Sequence, residues 1–184
     1  MTIKIGINGM GRIGRMVLRS IIERNNKKIE IKHINNRTGP EVCASLIKYD
    51  SIHGRFNSEI KFDDKNLKQA SISEVLSTSD IVSIHIPLSS GTKNMINKDA
   101  FKQMKESIIL INTSRGGIVD EVELYKFLKN NNLAFASFDV FEHEPAFKSP
   151  LLKLDNFFAS SHRASLTEQG IQSMGIAAIN GLGD

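Results

Sequence analysis

Cysteine is nearly missing from this chain. Cys43 is the single one in 184 residues, which excludes an internal disulfide and any zinc site built on paired cysteines. Long hydrophobic runs are missing too. No apolar stretch approaches the roughly 20 residues that a membrane-crossing helix needs. The N-terminus reads as a strand, not as a cleavable leader. A cytoplasmic protein without a membrane partner is expected. Histidines and carboxylates do not gather at metal-ligand spacing, so no metal is expected either. Neither sign of charge dominates: the net charge is +4, and the basic residues are dispersed apart from Arg24, Lys27, Lys28 and Lys32. That small group reads as a solvated surface rather than a nucleic-acid footprint, while a mildly positive chain suits an anionic ligand. Repeats and low-complexity tracts are also absent. What remains is ordinary globular composition, long enough for one domain with its own core.

Apolar runs that suit strands alternate along the chain with segments of helical periodicity. Strands are expected near 3–8, 29–35, 81–86, 107–112, 133–138 and 156–160, and helices near 12–24, 40–50, 73–78, 97–105, 120–130 and 166–180. Ile108-Ile109-Leu110-Ile111 is apolar throughout, as a strand buried on both faces must be. Asp120 and Asn97 have the side chains and positions of helix N-caps. Residues 54–70 are polar and are expected to hold a short strand and a loop. The pattern predicts an α/β fold: a Rossmann-like, doubly wound, mostly parallel sheet with helices on both faces.

The first strand runs directly into a Gly-x-Gly-x-x-Gly turn at Gly9, Gly11 and Gly14, and the turn runs into an amphipathic helix carrying Met16, Val17, Leu18, Ile21 and Ile22. In that context the glycines have separate tasks. Gly9 permits the tight turn, Gly11 lets backbone approach a diphosphate, and Gly14 lets the helix pack close on the strand. The free N–H groups at the helix start, around Arg12 and Ile13, would receive the diphosphate. A dinucleotide, NAD or NADP, is the expected ligand. At the end of the second strand, Asn36 stands where an acidic residue would bind the adenosine ribose and repel a 2′-phosphate, and Arg37 follows it. Discrimination between NAD and NADP is therefore expected to be weak.

Two family resemblances accompany these features. Ile5-Gly6-Ile7-Asn8-Gly9-Met10-Gly11-Arg12-Ile13-Gly14-Arg15 and Leu46-Ile47-Lys48-Tyr49-Asp50-Ser51-Ile52-His53-Gly54-Arg55-Phe56 resemble the N-terminal half of the NAD-binding domain of glyceraldehyde-3-phosphate dehydrogenase. From about 71 onward the chain resembles the D-isomer-specific 2-hydroxyacid dehydrogenases, which include phosphoglycerate dehydrogenase. The carriers are Ser79–Leu88, Ile111–Asp120, Asp139–Pro145, Ser149–Leu152 and Ser161–Ser165. Taken together, the resemblances imply an engineered or recombined chimera joined near 62–71.

The first family's thiol chemistry needs a cysteine activated by a histidine. Cys43 lies in a helical segment on a packing face, so that activity is excluded. The second resemblance implies hydride transfer between a nicotinamide and the C2 of a 2-hydroxy or 2-oxo acid. Matched motif to motif, Arg115 would grip the carboxylate, His162 would act as acid and base, and Glu144 would keep that histidine protonated. Asp139 would hold the nicotinamide carboxamide, and Pro87, Thr113 and Ser114 would line the cofactor. His53, His85 and His143 receive no ligand role.

Met1 begins the first strand and Asp184 follows the last helix, so a single domain, 1–184, without a substrate domain is expected. The leading expectation is a dinucleotide-binding domain with little turnover. The alternatives are weak dehydrogenase activity on a small 2-oxo acid, or a folding scaffold that binds nothing. The family resemblance also implies a homodimer through the segment from about 121 to 158. Phe141, Phe147, Phe157 and Phe158 are candidates for its surface, with packing inside the domain as the competing reading for Phe141 and Phe157.

Overall fold

Six short strands, rich in Ile, Phe, Val and Ala, pair side by side in a computed structural model that describes residues 2–36, 39–50, 54–56, 70–164, 166 and 172. They are β1 (Ile3–Asn8), β2 (Ile29–Asn35), β5 (Ile81–Ile84), β6 (Ile109–Asn112), β7 (Phe135–Phe138) and β8 (Phe157–Ala159). Their order in the sheet is β2-β1-β5-β6-β7-β8, with every neighbouring pair parallel. In this sheet the chain adds β2 on one side of β1 and the strands from β5 onward on the other. That reversal makes the carboxyl ends of β1 and β5 the switch point where an open α/β sheet presents a crevice.

Helices connect the strands: α1 (Arg12–Arg24), α2 (Pro40–Lys48), α3 (Ile72–Thr78), α4 (Lys98–Gln103) and α5 (Glu121–Lys129). Local chemistry starts several of them where the sequence analysis expects. Asp120 accepts from the N–H groups of Val122 and Glu123 at 3.0 Å each. Asn97 accepts from Asp99 and Ala100, and Ser71 and Glu74 form a reciprocal capping box on α3. Burial then divides the interior into two clusters. Ile5, Ile7, Met10, Leu18, Ile47 and Phe56 form one, under α1 and α2. The other gathers α3, α4 and α5 over the remaining strands, around Val75, Ile84, Leu110, Leu124 and Phe138.

Two expectations change on contact with the structure. The helix predicted over 40–50 gives out at Lys48, because Tyr49–Asp50 leave it as β3 and pair antiparallel with β4 (Gly54–Arg55). Just after β4, Phe56 is 1% exposed beneath the Arg19 guanidinium, 5.1 Å from the ring centre. Phe141 and Phe157 are buried and pack on Phe138 with centroid separations of 6.4 and 5.5 Å, so neither can cover a partner. Phe147 and Phe158 are the exposed pair. Arg37, His53, the stretch 57–69 and all of the helix expected over 166–180 except Leu166 and Gln172 lie outside the described residues.

Candidate functional site

At the end of β1 the backbone bends through Gly9, whose φ of +104° is accessible to glycine and strained for other residues. A β-carbon on Gly9 would stand 2.7 Å from the His85 carbonyl, and one on Gly14 would stand 2.1 Å from the Gly9 oxygen. Both glycines are therefore required by contact. Gly11 is the N-cap of α1 with no side-chain cap, and the first turn carries no acidic residue. The helix start is thus left with free N–H groups and a positive dipole end for an anion. A cleft of about 180 Å³ opens on this turn, lined by Asn8, Gly9, Met10, Gly11, Asn35, Asn36, His85, Ile86, Pro87, Thr92 and Met95. Two buried nitrogens on its walls, Asn8 Nδ2 and His85 Nδ1, have no hydrogen-bond partner. A narrow cradle that a β-carbon would fill, beside a helix start with no acidic residue, fits a dinucleotide diphosphate.

Asn36 sits where the cleft meets the end of β2. Its Oδ1 lies 3.4 Å from the Met10 N–H, and its Nδ2 donates to the Cys43 sulfur at 2.7 Å. The one cysteine therefore supports a cleft residue. His85 is buried, its Nε2 2.7 Å from Ser83 Oγ, and burial pushes its pKa down to about 4. Sequence reasoning assigned His85 no role and overlooked Thr92 and Met95. Their signal was their place just beyond the strand that pairs with β1.

The three expected catalytic residues follow the ends of β6, β7 and β8. Asn112, buried at the end of β6, shapes the first loop: its Oδ1 accepts from the Ser114 N–H and hydroxyl, and its Nδ2 donates to the Arg115 carbonyl. Arg115 is exposed, with Nη1 donating to the Ser114 carbonyl. A β-carbon on Gly116 would fall 2.0 Å from the Phe141 oxygen, so this loop rests directly on the loop after β7. That second loop carries Glu144, whose Oε1 accepts from the Phe141 N–H at 3.0 Å while Oε2 stands 2.8 Å from His162 Nδ1. The contact with His162, reinforced by the Phe141 N–H, holds the Glu144 carboxyl below the usual carboxylate range. The pair is about half exposed and borders a cavity of about 530 Å³ lined mainly by apolar side chains.

Asp139 is buried at the end of β7, and its oxygens accept from Ser160 Oγ and from the N–H groups of Arg163 and Ala164. Burial raises its pKa, but these three donors outweigh burial and keep the carboxyl charged. Thr113 and Ser114 are half-buried beside Arg115, and Pro87 and Ile13 are exposed. Among the described residues no group of His, Cys, Asp and Glu could hold a metal, and no helix is long and apolar enough to cross a membrane.

The family model for the D-isomer specific 2-hydroxyacid dehydrogenase, NAD binding domain, matches residues 2–164. A glyoxylate reductase from Korarchaeum cryptofilum is 37% identical over 167 residues, covering 90% of this chain and 43% of its own length. The crystal structure of a glyoxylate reductase from Paecilomyes thermophila superposes with a TM-score of 0.76 at 26% identity, covering 97% of this chain and 48% of that one. The NAD-dependent formate dehydrogenase from Staphylococcus aureus in complex with NAD gives a TM-score of 0.67 at 27% identity, over 92% and 44%. The chain thus spans about half the length of the relatives it matches. The family match runs unbroken across 62–71, and the expected division between two families is withdrawn. Gly9 and Gly14 are demanded by the turn itself, so any family with this turn needs them, and they do not separate one family from another. The scaffold expectation falls with it, since the cradle is intact.

Proposed function

Because this chain belongs to the D-isomer specific 2-hydroxyacid dehydrogenases, whose NAD-binding domain it carries, we propose that it serves in the interconversion of a small 2-oxo acid and its 2-hydroxy acid. The observation that carries this reading is the Glu144–His162 contact, on the same sheet edge as the dinucleotide cradle. When bound, the nicotinamide supplies or accepts the hydride at C2. Gly9–Gly14 would hold the diphosphate, Asn36 the adenosine ribose, and Pro87, Thr113 and Ser114 the wall beside them. Arg115 would take the substrate carboxylate in its planar fork. His162 would give its proton to the carbonyl oxygen during reduction and take it back during oxidation. Glu144, ionised at neutral pH, orients the ring through Nδ1 and stabilises its charged form. Glyoxylate is a first substrate to try, since two of the similar proteins are glyoxylate reductases.

Asn36 repels no 2′-phosphate, and we propose that NADH and NADPH both bind. Nicotinamide fluorescence and melting temperature are to be followed as each is added. Asn36→Asp is expected to weaken NADPH about tenfold while sparing NADH, through repulsion of the 2′-phosphate. If neither cofactor registers by millimolar concentration, the reading fails. Where turnover of glyoxylate is measurable, Arg115→Ala and His162→Ala should each lower it by about a hundredfold or more. Rates equal to the unmodified chain would overturn the catalytic assignments. A cytoplasmic setting belongs to the same proposal, and cell fractionation tests it.

A further inference from the structure

Three donors converge on one buried carboxylate, and together they bracket the candidate acid–base residue. Asp139 is anchored in the sheet, its N–H donating to the Asn112 carbonyl, while the Ser160 N–H donates to the Phe138 carbonyl beside it. The Asp139 side chain then gathers the chain that leaves β8. Oδ1 accepts from Ser160 Oγ and from the Arg163 N–H, and Oδ2 accepts from the Ala164 N–H at 2.7 Å. Ser160 lies before His162, and Arg163 and Ala164 lie after it. The loop is wrapped around the carboxylate with the histidine at its apex.

We propose that Asp139, assisted by Ser160, is a positioning residue that sets where the His162 imidazole stands. His162 has a φ of +53°, in the left-handed region that side-chain-bearing residues disfavour. A backbone held there needs surrounding bonds that over-determine it, and the three bonds to Asp139 do so from both sides. With the backbone held, the ring meets Glu144 Oε2 at 2.8 Å, and Glu144 is itself held by the Phe141 N–H. Two carboxylates thus divide the work: Asp139 sets the backbone of His162 and Glu144 sets its ring. Three of the roughly four acceptor positions of the Asp139 carboxylate are used inside the loop.

The proposal rests on His162 being the acid–base group, so its test uses no turnover. The whole chain, free of cofactor and substrate, is compared as the unmodified protein, Asp139→Asn, Ser160→Ala and Glu144→Gln. The His162 ring signals are followed by NMR through its carbon-bound hydrogens at one neutral pH, and NADH affinity is measured alongside. Asp139→Asn and Ser160→Ala are each expected to move those signals toward their positions in Glu144→Gln, because a released loop loses the Nδ1 contact. In Ser160→Ala, NADH affinity is expected to change less than about threefold, or under 0.7 kcal/mol. His162 signals unmoved in both variants overturn the proposal. So do unmoved signals with NADH affinity down about tenfold in Asp139→Asn, which makes Asp139 a cofactor ligand alone. Ser160→Ala keeps the test decisive should Asp139→Asn fail to fold. Loss of turnover in His162→Ala is a separate measurement, so failure of the catalytic reading is told apart from failure of this one.

Discussion

His85 carries a cost that pH can expose. Its ring is buried beside the cleft, Nδ1 has no partner, and burial alone lowers its pKa from 6.5 to about 4. The native chain therefore resists the proton that the unfolded chain accepts. Stability from this group is full above about pH 6.5 and is lost as the pH falls through the folded value near 4. The loss should be on the order of 3 kcal/mol across that window. Urea unfolding at a series of pH values is expected to show the decline, and His85→Gln should flatten it. An equally steep decline in His85→Gln would place the acid sensitivity on the carboxylates instead. Asp80 and Glu144, whose partners lower their pKa values, would then be the groups to examine.

Elements meet at this site through loops that touch backbone to backbone. Gly116 is the sharpest instance, since a β-carbon there would overlap the Phe141 carbonyl and the Glu142 nitrogen. Gly116→Ala must push the loop after β6 away from the loop after β7, and with it Arg115 away from Glu144 and His162. Overpacking against rigid backbone should cost about 2 kcal/mol or more. Thermal unfolding is expected to show that loss. On the reading proposed above, the Michaelis constant for a 2-oxo acid should rise, because Arg115 would be displaced from the substrate carboxylate. An unchanged melting temperature would mean that the two loops part freely. The length of α1 and the bend at Gly9 belong to this scale as well, since Gly14 packs against the oxygen of Gly9 and sets how closely the helix lies on the sheet.

For the molecule as a whole, the exposed aromatic surface suggests a partner. Phe147 is 85% exposed, and Leu152 lies open with it on the cavity that borders His162. We propose that Phe147 and Leu152 are covered by a second copy of the chain, since large apolar side chains left open together in water favour association. Light scattering over a tenfold range of concentration should show a mass rising toward twice 20.5 kDa, and Phe147→Asp should return it to the monomer. A constant monomer mass would end the idea. Bound dinucleotide should stabilise the native chain by about 2.7 kcal/mol at a hundredfold excess over its dissociation constant.

Periodicity and local chemistry were enough to determine the elements. The six strands of the main sheet, all but one of the helices within the described residues at nearly their observed bounds, and the caps at Asp120 and Asn97 follow from side-chain alternation and short-range hydrogen bonding, which act within a few residues. The Gly9–Gly14 turn was legible for the same reason, because its glycines answer to backbone only a few residues away and to one neighbouring strand. Three matters waited for the tertiary structure. Phe141 and Phe157 turned inward because they pack on Phe138 and on each other, a contact between segments that no local pattern encodes. His85 became a buried wall of the cleft because β5 pairs with β1. Asp139 came to hold the chain around His162 because β7 and β8 lie side by side and bring residues more than twenty positions apart within hydrogen-bond reach. Local physics writes itself into adjacent residues, whereas these contacts exist only once the sheet has assembled.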